Sequence, residues 1–333
     1  MGNIRASYPR FKRAGETPRI ELTADDVAIL RCVYRHRFVR ADDLYRLFGE
    51  RSPDKLSRRL VRLYRNKFLD RPIAQIDRYH DGGSKALVYG LDNNGARYLK
   101  DTLSVPITSS DWRGRNRSYT RENLDHTLAI SRFMIDLELA CRVRGDVALI
   151  PFEEILAKAP EATRKSSHPG RWAVPVQWNG LRGTVHVIPD AIFGLRRVRE
   201  GAPALVSYYF LEIDRGTMTI APSKQVQESD AFLYRATILR KLVTYAESWR
   251  QSLHEKCFTV HAPKVVTITT SQAREVSMRQ ISTTVADKLR VPRALFAFDF
   301  EGNKEWILGQ LNPPDIANAQ IDSVRLDCST TGS

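Results

Sequence analysis

No stretch of this 333-residue sequence is apolar for long enough to cross a bilayer, and the basic N-terminal segment is not followed by an apolar core. A membrane-spanning or exported protein is therefore not expected, and a cytoplasmic one is. Cysteine is scarce. Cys32, Cys141, Cys257 and Cys328 stand far apart and form no C-x-x-C pair, which argues against a structural zinc site. Cys32 and Cys141 lie in helical patterns, where buried thiols are the simpler reading. There is no internal repeat, and no heptad pattern to reveal a coiled-coil dimer, so a homodimer stays open but unsupported. Acids are also in deficit: 38 Asp and Glu oppose 52 Lys and Arg, a formal charge of +14. That imbalance suits a polyanionic partner; with no amphipathic anchor evident, an acidic membrane surface is the weaker choice. The 42% hydrophobic content of a chain this long is enough for two domains, each with its own core.

The positive charge is concentrated at the front. Residues 1–100 hold 22 lysines and arginines against 12 acids, so ten of the fourteen excess charges lie in under a third of the chain. The densest part runs from Arg51 to Lys67, with seven cations and one acid, Asp54, in seventeen residues. Leu56, Leu60 and Leu63 fall at i, i+4 and i+7 and give a helix its buried stripe. Pro53 suits the first turn and Ser52 can cap it. Lys55, Arg58, Arg59, Arg62 and Arg65 cover the remaining circumference. Cations this crowded repel one another unless something negative lies alongside. A solvated amphipathic face is the bland reading for such a helix alone.

Its neighbours favour a sharper one. Thr23 is placed to cap a helix over residues 24–35, with Asp25 and Asp26 at its positive end. Residues 41–48 read as a second short helix ended by Gly49. After the basic helix, β-prone runs flank His80-Asp81-Gly82-Gly83-Ser84, the pattern of a hairpin, and Asp92 to Leu99 closes the unit as another helix. Helix, helix, basic helix, hairpin is the order of a winged helix-turn-helix, whose third helix enters the major groove while the wing touches the backbone. The expected contacts with double-stranded DNA are Lys55, Arg58, Arg59, Arg62 and Arg65 on the helix, with Arg78 and Lys85 in the wing. The alternative is a winged helix used for protein contacts.

The expected organisation is a basic arm over 1–20, the winged helix-turn-helix over 21–100, a linker over 101–120, an α/β domain over 121–300 and a tail over 301–333. Within the α/β domain the patterns read as a helix over 122–145, then strands over 147–152, 184–188 and 204–213. Residues 153–182 read as irregular. A helix over 224–253, a strand over 265–269, a helix over 273–289 and a strand over 294–300 complete it.

Acids occupy particular places in that order. Asp190 ends one strand, and Glu212 and Asp214, two apart near the end of the next, face the same side of it. If those strands are neighbours, three carboxylates converge, a costly arrangement unless a cation or proton relieves it. Mg²⁺ or Mn²⁺ favours such oxygen ligands and could activate a water for phosphodiester hydrolysis. Ordinary strand-end acids paired with Arg215 or Lys241 would read the same way. His126 is a packing residue or a base near the carboxylates; Lys241 and Tyr245, one turn apart, face phosphate or pack together.

Pro189-Asp190, a gap of about twenty residues and Glu212 resemble the P-D…(D/E)-x-K signature of the restriction-endonuclease-like fold. Asp214 stands where that signature has lysine; some members supply the cation from the following helix, where Lys241 lies. More of the chain resembles the replication-relaxation protein family of plasmids and other mobile elements. The motifs are Leu124-Asp125-His126-Thr127-Leu128-Ala129, Pro189-Asp190-Ala191, Leu211-Glu212-Ile213-Asp214-Arg215-Gly216-Thr217 and Lys241-Leu242-Val243-Thr244-Tyr245, all behind the basic front. The resemblance implies a mixed α/β chain, a winged helix followed by a restriction-endonuclease-like domain. It implies work on DNA in replication, relaxation or mobilisation, with proteins of those processes as partners. The alternatives are a Mg²⁺- or Mn²⁺-dependent nuclease or nickase using Asp190, Glu212 and Asp214, with Lys241 or His126 assisting, and a winged-helix transcriptional regulator.

Overall fold

The computed structural model describes residues 10–13, 19–48, 52–76, 86–107, 109–301 and 309. Arg51, the wing residues Arg78 and Lys85, most of the basic arm and nearly all of the tail lie outside them. The chain is mixed α/β and divides into two compact units. The first groups the described residues of Met1–Leu139 with Pro189–Ala191 and Leu211–Arg215.

In that first unit α1 spans Ala24–His36 and starts where the sequence says it should. The Thr23 side chain accepts from the Asp26 N–H, and the Asp26 carboxylate returns the bond to the Thr23 N–H at 2.8 Å, a closed capping box. Strand β1 (Phe38–Arg40), helix α2 (Ala41–Leu47), helix α3 (Pro53–Arg65), strand β2 (Leu69–Asp70) and strand β3 (Val88–Leu91) follow. The three strands form an antiparallel sheet in the order β1-β3-β2, with Val39 opposite Tyr89 and Leu69 opposite Leu91. Helices α4 (Asn93–Leu103), α5 (Trp112–Arg117) and α6 (Arg121–Arg144) complete the series.

The leucine stripe of α3 goes where its spacing directs. Leu56, Leu60 and Leu63 join Ile29, Leu30, Val33, Leu44, Leu69, Leu91 and Leu99 in one core. Two local readings are corrected. Ile73 and Ile76, in the first of the β-prone runs expected to form the hairpin, make no strand: Pro72 opens a 3₁₀ turn over Ile73–Gln75, and the two are 55% and 41% exposed. The stretch 101–120 is not without structure either. It holds the end of α4 and all of α5, whose Trp112 is buried and donates through Nε1 to the Ser109 carbonyl.

The second unit opens with strand β4 (Val147–Ile150), helices α7 (Phe152–Lys158) and α8 (Glu161–Arg164), and strands β5 (Trp172–Trp178) and β6 (Leu181–Val187). Strands β7 (Ala191–Arg199) and β8 (Ala202–Ile213) come next. Helices α9 (Lys224–Gln227), α10 (Ala231–Tyr234), α11 (Ile238–Arg250) and α12 (Leu253–Phe258) lead to strand β9 (Lys264–Thr269), helix α13 (Gln272–Leu289) and strand β10 (Phe296–Phe300). Five strands form a mixed sheet in the order β10-β9-β8-β7-β4, with β9 and β10 parallel and β4 antiparallel to β7. Strands β5 and β6 make a separate antiparallel ribbon.

The ribbon corrects the reading of 153–182 as irregular. Pro175 sits at a position whose missing N–H would point away from β6, where a strand tolerates proline. The single helix expected over 224–253 is broken into three, because Thr237 restarts the chain by capping α11 through the Arg240 N–H at 3.1 Å. Among the described residues no helix is long and apolar enough to cross a membrane.

Candidate nucleic-acid interface

Burying one face of α3 turns its cations outward. Lys55, Arg58 and Arg62 are exposed, and among the described residues none of them pairs with an acid. Arg59 differs from its neighbours. Its Nε donates to Oδ1 of Asp26 at 2.5 Å, its Nη2 to Oδ2 of the same carboxylate, and Nη2 also reaches the Glu21 carbonyl at 2.8 Å. Asp26 is fully buried at the start of α1. Burial pushes its carboxyl up, but the bonds from Arg59 and Thr23 outweigh that and hold it below the usual carboxylate range. Arg59 is thus spent inside the protein, fastening α3 to α1. Arg65 is half-buried near the end of α3.

The end of α3 is held by two cations that the periodicity of the sequence did not single out. Arg13 donates from Nε to the Tyr64 carbonyl at 2.9 Å and pairs through Nη2 with Asp70 and Asp92. Arg71 lies 4.2 Å over the Tyr64 ring and donates to the Tyr89 hydroxyl at 3.0 Å. Asn116 of α5 closes the set by donating to Asp70 Oδ2 at 3.0 Å and to the Leu91 carbonyl at 2.9 Å. Such a web of charge-assisted bonds sets the orientation of the helix that presents the exposed arginines. Its signal in the sequence is slight: an arginine in the arm and one after a two-residue strand.

A second cluster of expected residues sits at the ends of β7 and β8 and belongs to the first unit. Nε2 of His126, on α6, lies 3.0 Å from Oδ1 of Asp190. The other oxygen, Oδ2, accepts from the Ile213 N–H at 2.7 Å, and the Asp190 N–H donates to the Leu211 carbonyl at 2.9 Å. Since a carboxylate only accepts, Nε2 carries the imidazole proton in this contact. Arg215 donates to the Glu122 carbonyl at 2.9 Å, one turn before His126 on α6. Glu212 and Asp214 are buried, at 5% and 7% exposure. Lys241 is half-buried on α11 in the second unit. The structure therefore joins His126 to Asp190. Among the described residues, no group of three or more His, Cys, Asp or Glu side chains is arranged to hold a metal ion.

The fold and these sites define a mixed α/β protein whose first unit presents a basic helix. A family model described as replication-relaxation matches residues 30–260, a span that contains α3, His126, Asp190, Glu212, Asp214 and Lys241. The chain belongs to the replication-relaxation family. Neither a curated protein nor a solved structure matches it.

Proposed function

We propose that this protein binds double-stranded DNA through α3 and acts in the replication, relaxation or mobilisation of a plasmid or other mobile element. The observation that carries the reading is the division of labour on α3: three leucines inward, Arg59 tied to Asp26, and Lys55, Arg58 and Arg62 outward without acidic partners among the described residues. The element order of the first unit and its β1-β3-β2 sheet favour a winged helix-turn-helix, with α3 as the helix that enters the major groove. Arg78 and Lys85 remain proposed wing contacts. Lysines and arginines on phosphates supply affinity, and an arginine on a guanine edge supplies sequence preference. The family favours replication or mobilisation proteins as further partners.

The second unit follows α6 with β4, β7, β8, α11, β9, α13 and β10, an order that suits a restriction-endonuclease-like core with the β5–β6 ribbon inserted. We read it as a domain for holding DNA or a partner. Both oxygens of Asp190 accept from protein donors, which suits a clasp between α6 and the end of β8.

The neighbouring positions of β7 and β8 favour a second reading, a Mg²⁺- or Mn²⁺-dependent nickase at Asp190, Glu212 and Asp214. Supercoiled plasmid incubated with either metal, beside Glu212→Ala, separates the two. No nicking by either protein supports the binding role; nicking lost in the variant supports the enzyme.

A further inference from the structure

The second unit carries a surface that α3 does not account for. Between Glu161 and Asp190 the chain has no acidic residue, while Arg164, Lys165, Arg171 and Arg182 supply four cations and His168 and His186 two imidazoles. This segment runs through α8 into the β5–β6 ribbon. In the ribbon's register Ala173 lies opposite His186, Pro175 opposite Thr184 and Gln177 opposite Arg182. All six are exposed and share one face, while Trp172, Val174, Val176, Trp178, Val185 and Val187 on the other face are buried in the core of the unit. The outer face thus carries Arg182 and no acid, with Arg171 at the residue before β5.

The ribbon is also held rigid from beneath and along its edge. Trp172 donates through Nε1 to Ser248 at 2.9 Å. Glu247 accepts the Gln177 N–H at 3.2 Å, and Gln251 donates to the Pro175 carbonyl at 2.7 Å. Those bonds occupy the free edge of β5 that would otherwise invite another strand. At the turn, Lys288 lies 4.5 Å over the Trp178 ring and hydrogen-bonds Asn179, adding a cation beside Arg182. Underneath, Gly183 allows Leu233 to approach: a Cβ there would stand 2.6 Å from Leu233 Cδ1.

We infer that the outer face of the β5–β6 ribbon is a second contact for double-stranded DNA. A two-stranded antiparallel ribbon fits the major groove as a helix does. Seven residues of strand span roughly 20 Å, the rise of about six base pairs. Arg182 near the turn and Arg171 at the opposite end meet phosphates or guanine edges, and Gln177, directly across from Arg182, has the amide that recognises adenine. None of the six residues is a large apolar one; Ile188, 60% exposed, follows His186 just past the end of β6.

The inference rests on the reading of the chain as a DNA-binding protein, and the test separates the two. In the full-length chain, Arg171→Ala with Arg182→Ala is compared with Arg58→Ala with Arg62→Ala, each checked by thermal melting. Duplex binding is titrated against salt, and the protected length is mapped by footprinting. The expected result for the ribbon variant is an unchanged melt, a log–log salt slope shallower by about two and a shorter footprint. A ribbon variant matching the unmodified protein in slope and footprint, while the α3 variant loses binding, overturns the ribbon contact and leaves α3 standing; acidic-protein binding by the ribbon would give this same outcome. Both variants matching the unmodified protein would overturn both readings.

Discussion

Arg59 of α3 grips both carboxylate oxygens of Asp26, a residue 33 positions earlier at the start of α1. The pair converts one cation of a basic helix from a ligand contact into a fastening, and so makes neighbouring arginines of one helix behave differently.

Substituting Arg59→Ala leaves the Asp26 carboxylate buried without its counter-charge. The expected cost is about 2–3 kcal/mol, a little under the range for a fully enclosed pair because the Arg59 side chain keeps 20% exposure. Arg58→Ala, on an exposed neighbour, should change stability by less than about 0.5 kcal/mol and lower the salt slope of DNA binding by about one. Urea unfolding and salt titration of both variants check this; equal stability of the two would contradict the fastening role.

Acid should weaken the first unit through His36. Burial, then the nearby Arg35 charge, pushes this imidazole down from 6.5 to about 4. The folded state holds it neutral, so the unfolded state binds the proton more readily. Stability is complete above pH 6.5 and is lost as the pH falls from there toward 4. At pH 5 the loss from this one group is about 2 kcal/mol. Urea midpoints at pH 7.5 and pH 5 should therefore separate more in the unmodified protein than in His36→Gln. Parallel behaviour of the two proteins would remove His36 as the cause.

Gly95 lies in the first turn of α4, where alanine would ordinarily gain about 1 kcal/mol of helix stability. Here the added Cβ would stand 2.2 Å from the Phe68 carbonyl oxygen and 2.8 Å from Leu91 Cδ1. A backbone oxygen cannot rotate away, so the clash wins. Gly95→Ala should destabilise by about 2–3 kcal/mol. A melt at or above that of the unmodified protein would show that α4 shifts freely.

Asp190→Ala removes the acceptor for His126 and for the Ile213 N–H. If Asp190 is a clasp, the variant loses about 2 kcal/mol while the salt slope of DNA binding stays the same. An unchanged melt together with lost plasmid nicking would instead mark it as a ligand of a working metal site.

The parts of the fold that could be read from the sequence are those whose signals are local. Helix α1 carries its cap and α3 its Pro53 start and apolar spacing within a dozen residues, although Ser52 makes no side-chain capping bond, and β9 is a plain β-branched run. Strand β6 was read in part, over 184–188, but its partner β5 was hidden because Pro175 and the surrounding cations obscure an otherwise regular alternation of Trp172, Val174, Val176 and Trp178. The fastening of Arg59 was not legible at all: nothing in a helical pattern says which cation a buried acid 33 residues away will claim. His126 and Asp190, 64 residues apart, could be named separately as interesting, but their contact is a property of the folded chain.

The most direct measurement is the salt dependence of duplex binding by the unmodified protein and by Lys55→Ala, Arg58→Ala, Arg62→Ala combined. With about six phosphates neutralised, the unmodified chain should give a log–log slope of about −5 and the triple variant about −2, with the same melting temperature. A slope near zero for the unmodified chain, or an unaltered slope after the three substitutions, would contradict the assignment of α3 as the DNA-binding helix.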